Sequence, residues 1–179
     1  MIKFEKTKIN GLLIGNISAF KDQRGTFKRI FSKDIFSSKL KIDIKQANIC
    51  ENPLKGTFRG LHFQTGFRKE DKVIHILNGK TFHIILDMRK KSKTFKKVFT
   101  YTLSKGSHNF LVIPKDCAHG YLTLKKNSVI LYFVSNYYSS TKSKGVSIYD
   151  PVLKSILKKI NKKIKKISDN DKSWPKIKF

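Results

Sequence analysis

Between Lys72 and Ser135 the chain is a succession of short β-prone runs, none longer than eight residues, separated by turn residues. KVIHIL (72–77), TFHIILD (81–87), VFTYTL (98–103), NFLVI (109–113), GYLTL (120–124) and SVILYFVS (128–135) carry the β-branched and aromatic residues that suit a half-buried strand. Their spacing indicates an antiparallel sandwich or barrel. Asn78-Gly79 is the strongest hairpin signal, because a two-residue I′ turn needs positive φ at both positions. As a hairpin it sets Leu77 opposite Lys80, His75 opposite Phe82 and Ile74 opposite His83, and places His75 and His83 on opposite faces of one sheet.

Helical periodicity is clear once. Between Pro151 and Ser168, Val152, Leu153, Ile156, Leu157, Ile160, Ile164 and Ile167 recur at spacings of three and four, with lysines on the other face. This predicts one amphipathic helix, or two short ones, packed on the β-body. With 179 residues, 39% of them hydrophobic, the chain fits a single domain spanning 1–179. The longest apolar run, Val129–Val134, is far short of the ~20 residues that cross a bilayer. The first ten residues show no apolar signal region, so the cytoplasm is the expected compartment and membrane insertion is not expected. Cys50 and Cys117 cannot form a disulfide framework, and no Cys/His spacing suggests zinc.

A formal net charge of +27 raises the question of a polyanionic partner. Its texture argues otherwise. There are 34 lysines but five arginines, whereas planar recognition of phosphate and guanine favours arginine. The lysines are spread over every segment, as on a solvated cationic surface, and no nucleic-acid partner is expected. Such a field still draws in a small anionic substrate.

Two segments place histidines in β surroundings, GTFRGLHFQ (56–64) and IPKDCAHG (113–120). Together with KDQRGTF (21–27), QAN (46–48), DKVIHILNGKTFHIILDMRKKSKTF (71–95), LYFVSNYYS (131–139), YDP (149–151) and ISDNDKSWP (167–175), in this order, they resemble the dTDP-4-dehydrorhamnose 3,5-epimerase family. The resemblance implies an all-β, cupin-like jelly roll, a double-stranded β-helix, with a short C-terminal helical segment. The β-rich reading agrees with it independently.

It also implies a chemistry. The substrate would be a nucleoside-diphosphate 4-keto-6-deoxy sugar, whose ketone acidifies the protons on C3 and C5. Epimerisation then needs a base on one face, an acid on the other and a group to hold the enolate. By family position His62 is the base and Asp171 its carboxylate partner. Lys72 holds the enolate oxygen, and Tyr132 delivers the proton from the opposite face. Arg24 and Arg59 would hold the diphosphate, His119 the sugar end, Gln46 and Asn48 the nucleotide side, and Tyr138 would join the substrate-binding set. The segment around Arg24 would reach in from a neighbouring subunit, implying a homodimer. No cofactor and no metal is implied: an H-x-H pair would be needed for the usual β-helix metal site, and His62 is followed by Phe63 and Gln64.

Structural rivals exist for several of these. Arg24, between Asp22 and Gly25, could cap a turn, and Asp171 could be a loop carboxylate. His75 and His83 are read as structural, His108 as an exposed turn residue, and Cys117 as inert. Arg29, Phe133, Ser143 and Tyr149 depart from the family pattern; Arg29 leaves the base of the nucleotide open, and together the departures leave open a substrate other than the rhamnose precursor. A non-catalytic jelly roll that binds nucleotide sugars or glycans would tolerate such changes, but it would not need the full chemical set.

Overall fold

The computed structural model describes residues 2–177. In chain order its strands and longer helices are β1 (Ile2–Lys6), β2 (Leu13–Ile17), β3 (Phe20–Asp22), β4 (Gly25–Phe27), α1 (Lys33–Lys39), β5 (Gln46–Asn52), β6 (Phe58–Gln64) and β7 (Lys72–Asn78). They continue with β8 (Lys80–Asp87), β9 (Val98–Ser104), β10 (Asn109–Ile113), β11 (Cys117–Thr123), β12 (Ser128–Val134), β13 (Ser143–Gly145), α2 (Lys154–Ile160) and α3 (Asp169–Ser173). A six-stranded sheet runs β1-β2-β10-β7-β12-β5 and faces a five-stranded sheet β13-β6-β11-β8-β9, every ladder being antiparallel. This is the all-β jelly roll that the sequence resemblance implied. β3 and β4 form a separate hairpin.

The alternation along each strand sorts the apolar residues into three layers. Ile74, Leu111, Ile113 and Ile130 of the larger sheet meet Ile85, Leu103 and Tyr121 of the smaller one between the sheets. Val73, Phe110, Val112 and Phe133 face outward and are covered by Phe36 of α1 and by Ile42. On the far side Phe58, Leu61, Ile84, Leu86 and Leu122 are covered by Leu153, Ile160 and their neighbours from the C-terminal segment. With both sheet faces covered, the inner strands carry apolar residues on both sides.

The Asn78-Gly79 hairpin does not form. β7 and β8 lie in different sheets, β7 between β10 and β12 and β8 between β11 and β9, and the turn carries the chain from one sheet to the other. Each strand is buried on both faces and flanked on both edges, and two full ladders outweigh one local pairing. Gly79, at φ +83°, still serves as a turn residue. The correction relocates both histidines. His75 lies on the outer face of the larger sheet, against Phe110 at 4.7 Å between ring centres, and burial lowers its pKa to about 4. His83 points into the space between the sheets. His108, at φ +59°, is a turn residue but half-buried rather than exposed.

The C-terminal periodicity is helical only to Lys163, as a 3-10 turn at Pro151–Leu153, then α2, then a second 3-10 turn at Asn161–Lys163. Beyond it the chain extends, because Lys165 and Lys166 donate their amides to the Gly56 carbonyl and Lys166 accepts from the Phe58 amide. A pairing site at the start of β6 thus overrides the helical pattern of Ile164 and Ile167. The strand predicted at Gly120 begins three residues earlier, at Cys117, so His119 sits inside β11 rather than at its entrance.

One irregularity positions the site. Along β6, Arg59 pairs with Tyr121 and His62 with His119, so three steps on β6 match two on β11. A regular strand would turn Arg59 and His62 to opposite faces; the bulge turns both inward. Gly60 permits it, lying at φ +123° where a Cβ would stand 2.4 Å from the Gly120 Cα and 2.8 Å from the His119 carbonyl oxygen. Gly60→Ala is expected to lower stability by about 2–3 kcal/mol, adding backbone strain to a clash that only strand separation relieves, as measured by urea denaturation.

Candidate active site

Between the sheets, at the open end, lies a cavity of about 250 Å³ lined by residues from both. The six-stranded sheet contributes Gln46, Asn48, Lys72, Tyr132 and Val134, and the five-stranded sheet His62, Gln64 and Ser143. Glu70, Tyr138, Asn170 and Trp174 come from the connecting segments. The register explains the first wall: Tyr132 pairs with Asn48 and Val134 with Gln46 across β12 and β5, so residues two apart on each strand share the inner face. The volume lies below the ~300–1,000 Å³ typical of pockets that enclose a drug-sized ligand. A sugar ring fits inside while the rest of a larger ligand stays at the mouth.

Asp171 is the keystone of the other wall. The Ser168 hydroxyl caps α3 by accepting from the Asp171 amide, and the short helix aims the buried carboxylate at the β6 bulge. There it accepts from the Gly60 amide at 3.1 Å, from His62 Nε2 at 2.6 Å and from Trp174 Nε1 at 3.3 Å. Burial pushes its pKa up, but the His62 hydrogen bond and charge, the Gly60 amide and the indole outweigh this and hold it below the usual 3.8. An ionised carboxylate can only accept, so His62 Nε2 carries the proton and Nδ1 is left bare as a base. Trp174 stands edge-on to His62, 5.9 Å between ring centres, and lies flat over Gly145, where a Cβ would come within 2.3 Å of the indole.

Opposite His62, burial first and then the nearby Cys50 and the Glu70 carboxylate raise the Tyr132 pKa, against a lowering by Arg59, so the phenol keeps its proton at neutral pH. Lys72 is largely buried and pairs with Glu70 at 3.2 Å. The cavity therefore presents a bare imidazole nitrogen on one sheet, and a phenol O–H and an ammonium on the other.

Of the residues singled out in the sequence, Gln46, Asn48, His62, Lys72, Tyr132 and Tyr138 meet at this cavity, with Asp171 behind His62. Tyr138 is held by its amide, which donates to Gln46 Oε1 at 2.7 Å. Arg59 is exposed, beside the cavity rather than in it; its Nε donates to Asn52 Oδ1 at 3.1 Å, and among the described residues its two terminal nitrogens have no hydrogen-bond partner. His119 is buried next to His62 on the neighbouring strand. Arg24 lies at the tip of the β3–β4 hairpin, folded onto Asp22 through its amide, Nε and Nη2. Burial pushes the Cys117 thiol up to about 12, so it is no nucleophile. Glu70, Trp174, Asn170 and Asn52 were not anticipated. Glu70 stands two residues before Lys72, the spacing that shares a strand face, and Trp174 is the chain's single tryptophan, inside a segment already singled out.

A two-sheet jelly roll that opposes a carboxylate-backed imidazole to a phenol across a sugar-sized cavity belongs to the class of isomerases that move protons. The chain belongs to the dTDP-4-dehydrorhamnose 3,5-epimerase family, whose sequence model matches residues 6–178. The dTDP-4-dehydrorhamnose 3,5-epimerase of Salmonella typhimurium is 35% identical over 136 residues, covering 75% of this chain and 74% of that one. The structure of the Bacillus anthracis enzyme of that name, with TDP and PPi bound, superposes with a TM-score of 0.89 at 31% identity, covering 99% of this chain and 100% of that one. A Legionella pneumophila dTDP-6-deoxy-D-glucose-3,5-epimerase in complex with dTDP-4-keto-L-rhamnose gives a TM-score of 0.87 at 25% identity, covering 98% and 93%.

Asp171→Asn is expected to destabilise the fold by about 1–3 kcal/mol at neutral pH, the cost of weakening a buried hydrogen-bonded acceptor. A depressed native pKa means that the carboxylate stabilises above its unfolded value of about 3.8 and loses that contribution as pH falls through the native value. The gap between wild type and variant in urea midpoint should therefore narrow as pH falls through about 4 and close at lower pH.

Proposed function

We propose that the protein epimerises a nucleoside-diphosphate 4-keto-6-deoxy sugar at C3, C5 or both, by proton removal and return through an enolate, within deoxysugar and surface polysaccharide biosynthesis. The observation that carries this reading is the opposition of His62 and Tyr132 on facing sheets of one cavity. A planar enolate between them exposes one face to each group, and inversion requires nothing more than a base on one side and an acid on the other.

The steps follow from the groups present. The C4 ketone makes the adjacent C–H acidic, and His62 Nδ1 takes the proton while Nε2 stays bonded to Asp171. The carboxylate fixes the tautomer and stabilises the imidazolium that forms. Charge moves to the C4 oxygen, where the Lys72 ammonium has donors to spare beyond the one it gives Glu70. Tyr132 returns a proton to the opposite face. Arg59, with Nε occupied by Asn52, offers its fork to the diphosphate, and Gln46, Asn48 and Tyr138 receive the nucleotide at the mouth. A purely binding jelly roll would not need a proton acceptor and a proton donor on opposite walls of its cavity.

The β3–β4 hairpin supports a homodimer. It exposes Phe20 and Phe27 to about two-thirds of their surface, and its Arg24 lies apart from the cavity of its own chain. An apolar, arginine-tipped arm of this kind suits insertion against a second copy, delivering Arg24 to the diphosphate there. The cytoplasm, where nucleotide sugars are made, is the compartment we assign; no helix among the described residues is long and apolar enough to cross a membrane.

The reading is tested with dTDP-4-keto-6-deoxyglucose in D2O, following deuterium at C3 and C5 by NMR: wash-in at neither carbon overturns it. His62→Ala should lower turnover by at least about 100-fold with the fold intact, since general-base catalysis contributes ~10²–10⁴. Tyr132→Phe should depress net epimerisation more than wash-in, because His62 can still exchange the proton it removes; equal losses would remove Tyr132 from the acid role. Phe20→Asp/Phe27→Asp should shift the protein from dimer to monomer in sedimentation velocity.

A further inference from the structure

Beside His62, on the inner face of the five-stranded sheet, lies a chain of polar groups that the proton transfer above does not use. Thr81 and His83 on β8 are fully buried and His119 on β11 nearly so. Thr81 Oγ1 is 2.8 Å from His83 Nε2, and His83 Nδ1 is 2.9 Å from His119 Nε2, with the two rings only 9° from parallel. His119 is in turn the cross-strand neighbour of His62.

Two directions of donation are conceivable, and the hydroxyl at the end of the chain chooses between them. If His119 Nε2–H donated to His83, then His83 Nε2–H would donate to Thr81, and the buried Thr81 proton would need a further acceptor. Among the described residues His83 is the only hydrogen-bond partner of that hydroxyl. Run the other way, every buried proton has an acceptor: Thr81 O–H donates to His83 Nε2, and His83 Nδ1–H donates to His119 Nε2. The remaining proton of His119 must then be on Nδ1.

We infer that His83, oriented by Thr81, is a positioning residue that fixes His119 as a neutral ring with its proton on Nδ1, so that His119 meets the sugar contact implied by the family resemblance as a hydrogen-bond donor and not as a second base beside His62. The electrostatics agree. Burial lowers the His83 pKa to about 3, and burial, then His83, Lys72 and His62, hold that of His119 well below 6.5. The groups facing the pair are Tyr121 from β11, whose own pKa burial raises, Tyr101 from β9, Lys72 from β7 and His62 from β6. None is a carboxylate, so nothing there compensates an imidazolium. The geometry separates the roles of two adjacent histidines: His62, backed by an anion, can take up a proton, and His119, backed by a neutral ring, cannot.

The role as donor to the sugar rests on the epimerase reading, whereas the tautomer does not, and the test separates them. Long-range ¹H–¹⁵N NMR of the wild-type protein labelled at its five histidines should show His83 and His119 both as neutral Nδ1–H rings, unchanged from pH 8 to 5. An Nε2–H ring at His119, or titration of either ring in that range, overturns the inference. Thr81→Val removes the hydroxyl at nearly constant volume; it should change the His119 nitrogen shifts and lower kcat about tenfold with a smaller change in KM, the effect of misaligning one neutral hydrogen bond. Thr81→Ser, which keeps the hydroxyl, should restore both. A valine variant that loses thermal stability alone, with shifts and kcat unchanged, would mean that the chain only fills space. A wild type with the stated tautomers but no epimerase activity would leave the tautomer inference standing and overturn the proposed function.

Discussion

The carboxylate of Asp171 ties the bulge of β6 to the C-terminal segment. It accepts from the amide of a β-bulge, from the imidazole two residues beyond and from the indole that covers a glycine on the edge strand. Burying an anion costs several kcal/mol unless its lone pairs are met, and here three donors converge on it. The same contacts close the smaller sheet at β13 and set the tautomer of His62. Fold and chemistry thus share one constraint, and the bulge at Gly60 satisfies it by bringing an amide, Arg59 and His62 to the same side.

The two sheets divide the labour. The five-stranded sheet supplies the imidazole of His62, backed by Asp171 from α3, while the six-stranded sheet supplies a phenol and an ammonium, Tyr132 and Lys72. The division follows from alternation, since each wall exposes only the inward residues of its strands, and a one-residue slip in β12 would replace Tyr132 by Leu131 or Phe133. Phe133, a departure from the family pattern, faces away and packs on Phe31 at 5.4 Å, so it touches neither the cavity nor its ligand. Ser143 does line the cavity, and a difference in substrate can enter there.

How far the sequence could be read follows the range of the interactions. Strands were legible because alternation and β-branched composition are local, and the resemblance carried His62, Lys72, Tyr132 and Asp171 to one place because their motifs, none decisive alone, occur together and in family order. The Asn78-Gly79 reading failed because a turn signal states only that the chain bends, and which ladder each arm joins is decided by partners as distant as β10 and β12. The helical pattern overran for the same reason: Ile164 and Ile167 keep their period, but the amides around them find the Gly56 carbonyl more than a hundred residues back. Glu70 stayed hidden because its significance lies in a pairing with Lys72 inside a cavity formed by two sheets. Of the arginines, Arg24 and Arg89 close on aspartates of their own loops, and the lysine excess that dominates the composition is mostly surface.

The distance along the chain between His62 and Asp171, 109 residues, has a meaning in time. A ribosome makes the imidazole 109 residues before its carboxylate, at about 5–20 residues per second. Until the C-terminal segment docks, the bulge amide and the imidazole have no anion to meet, and His62 has no fixed tautomer. The pairing of His62 with Asp171 thus waits on a contact made long after the imidazole itself is in place.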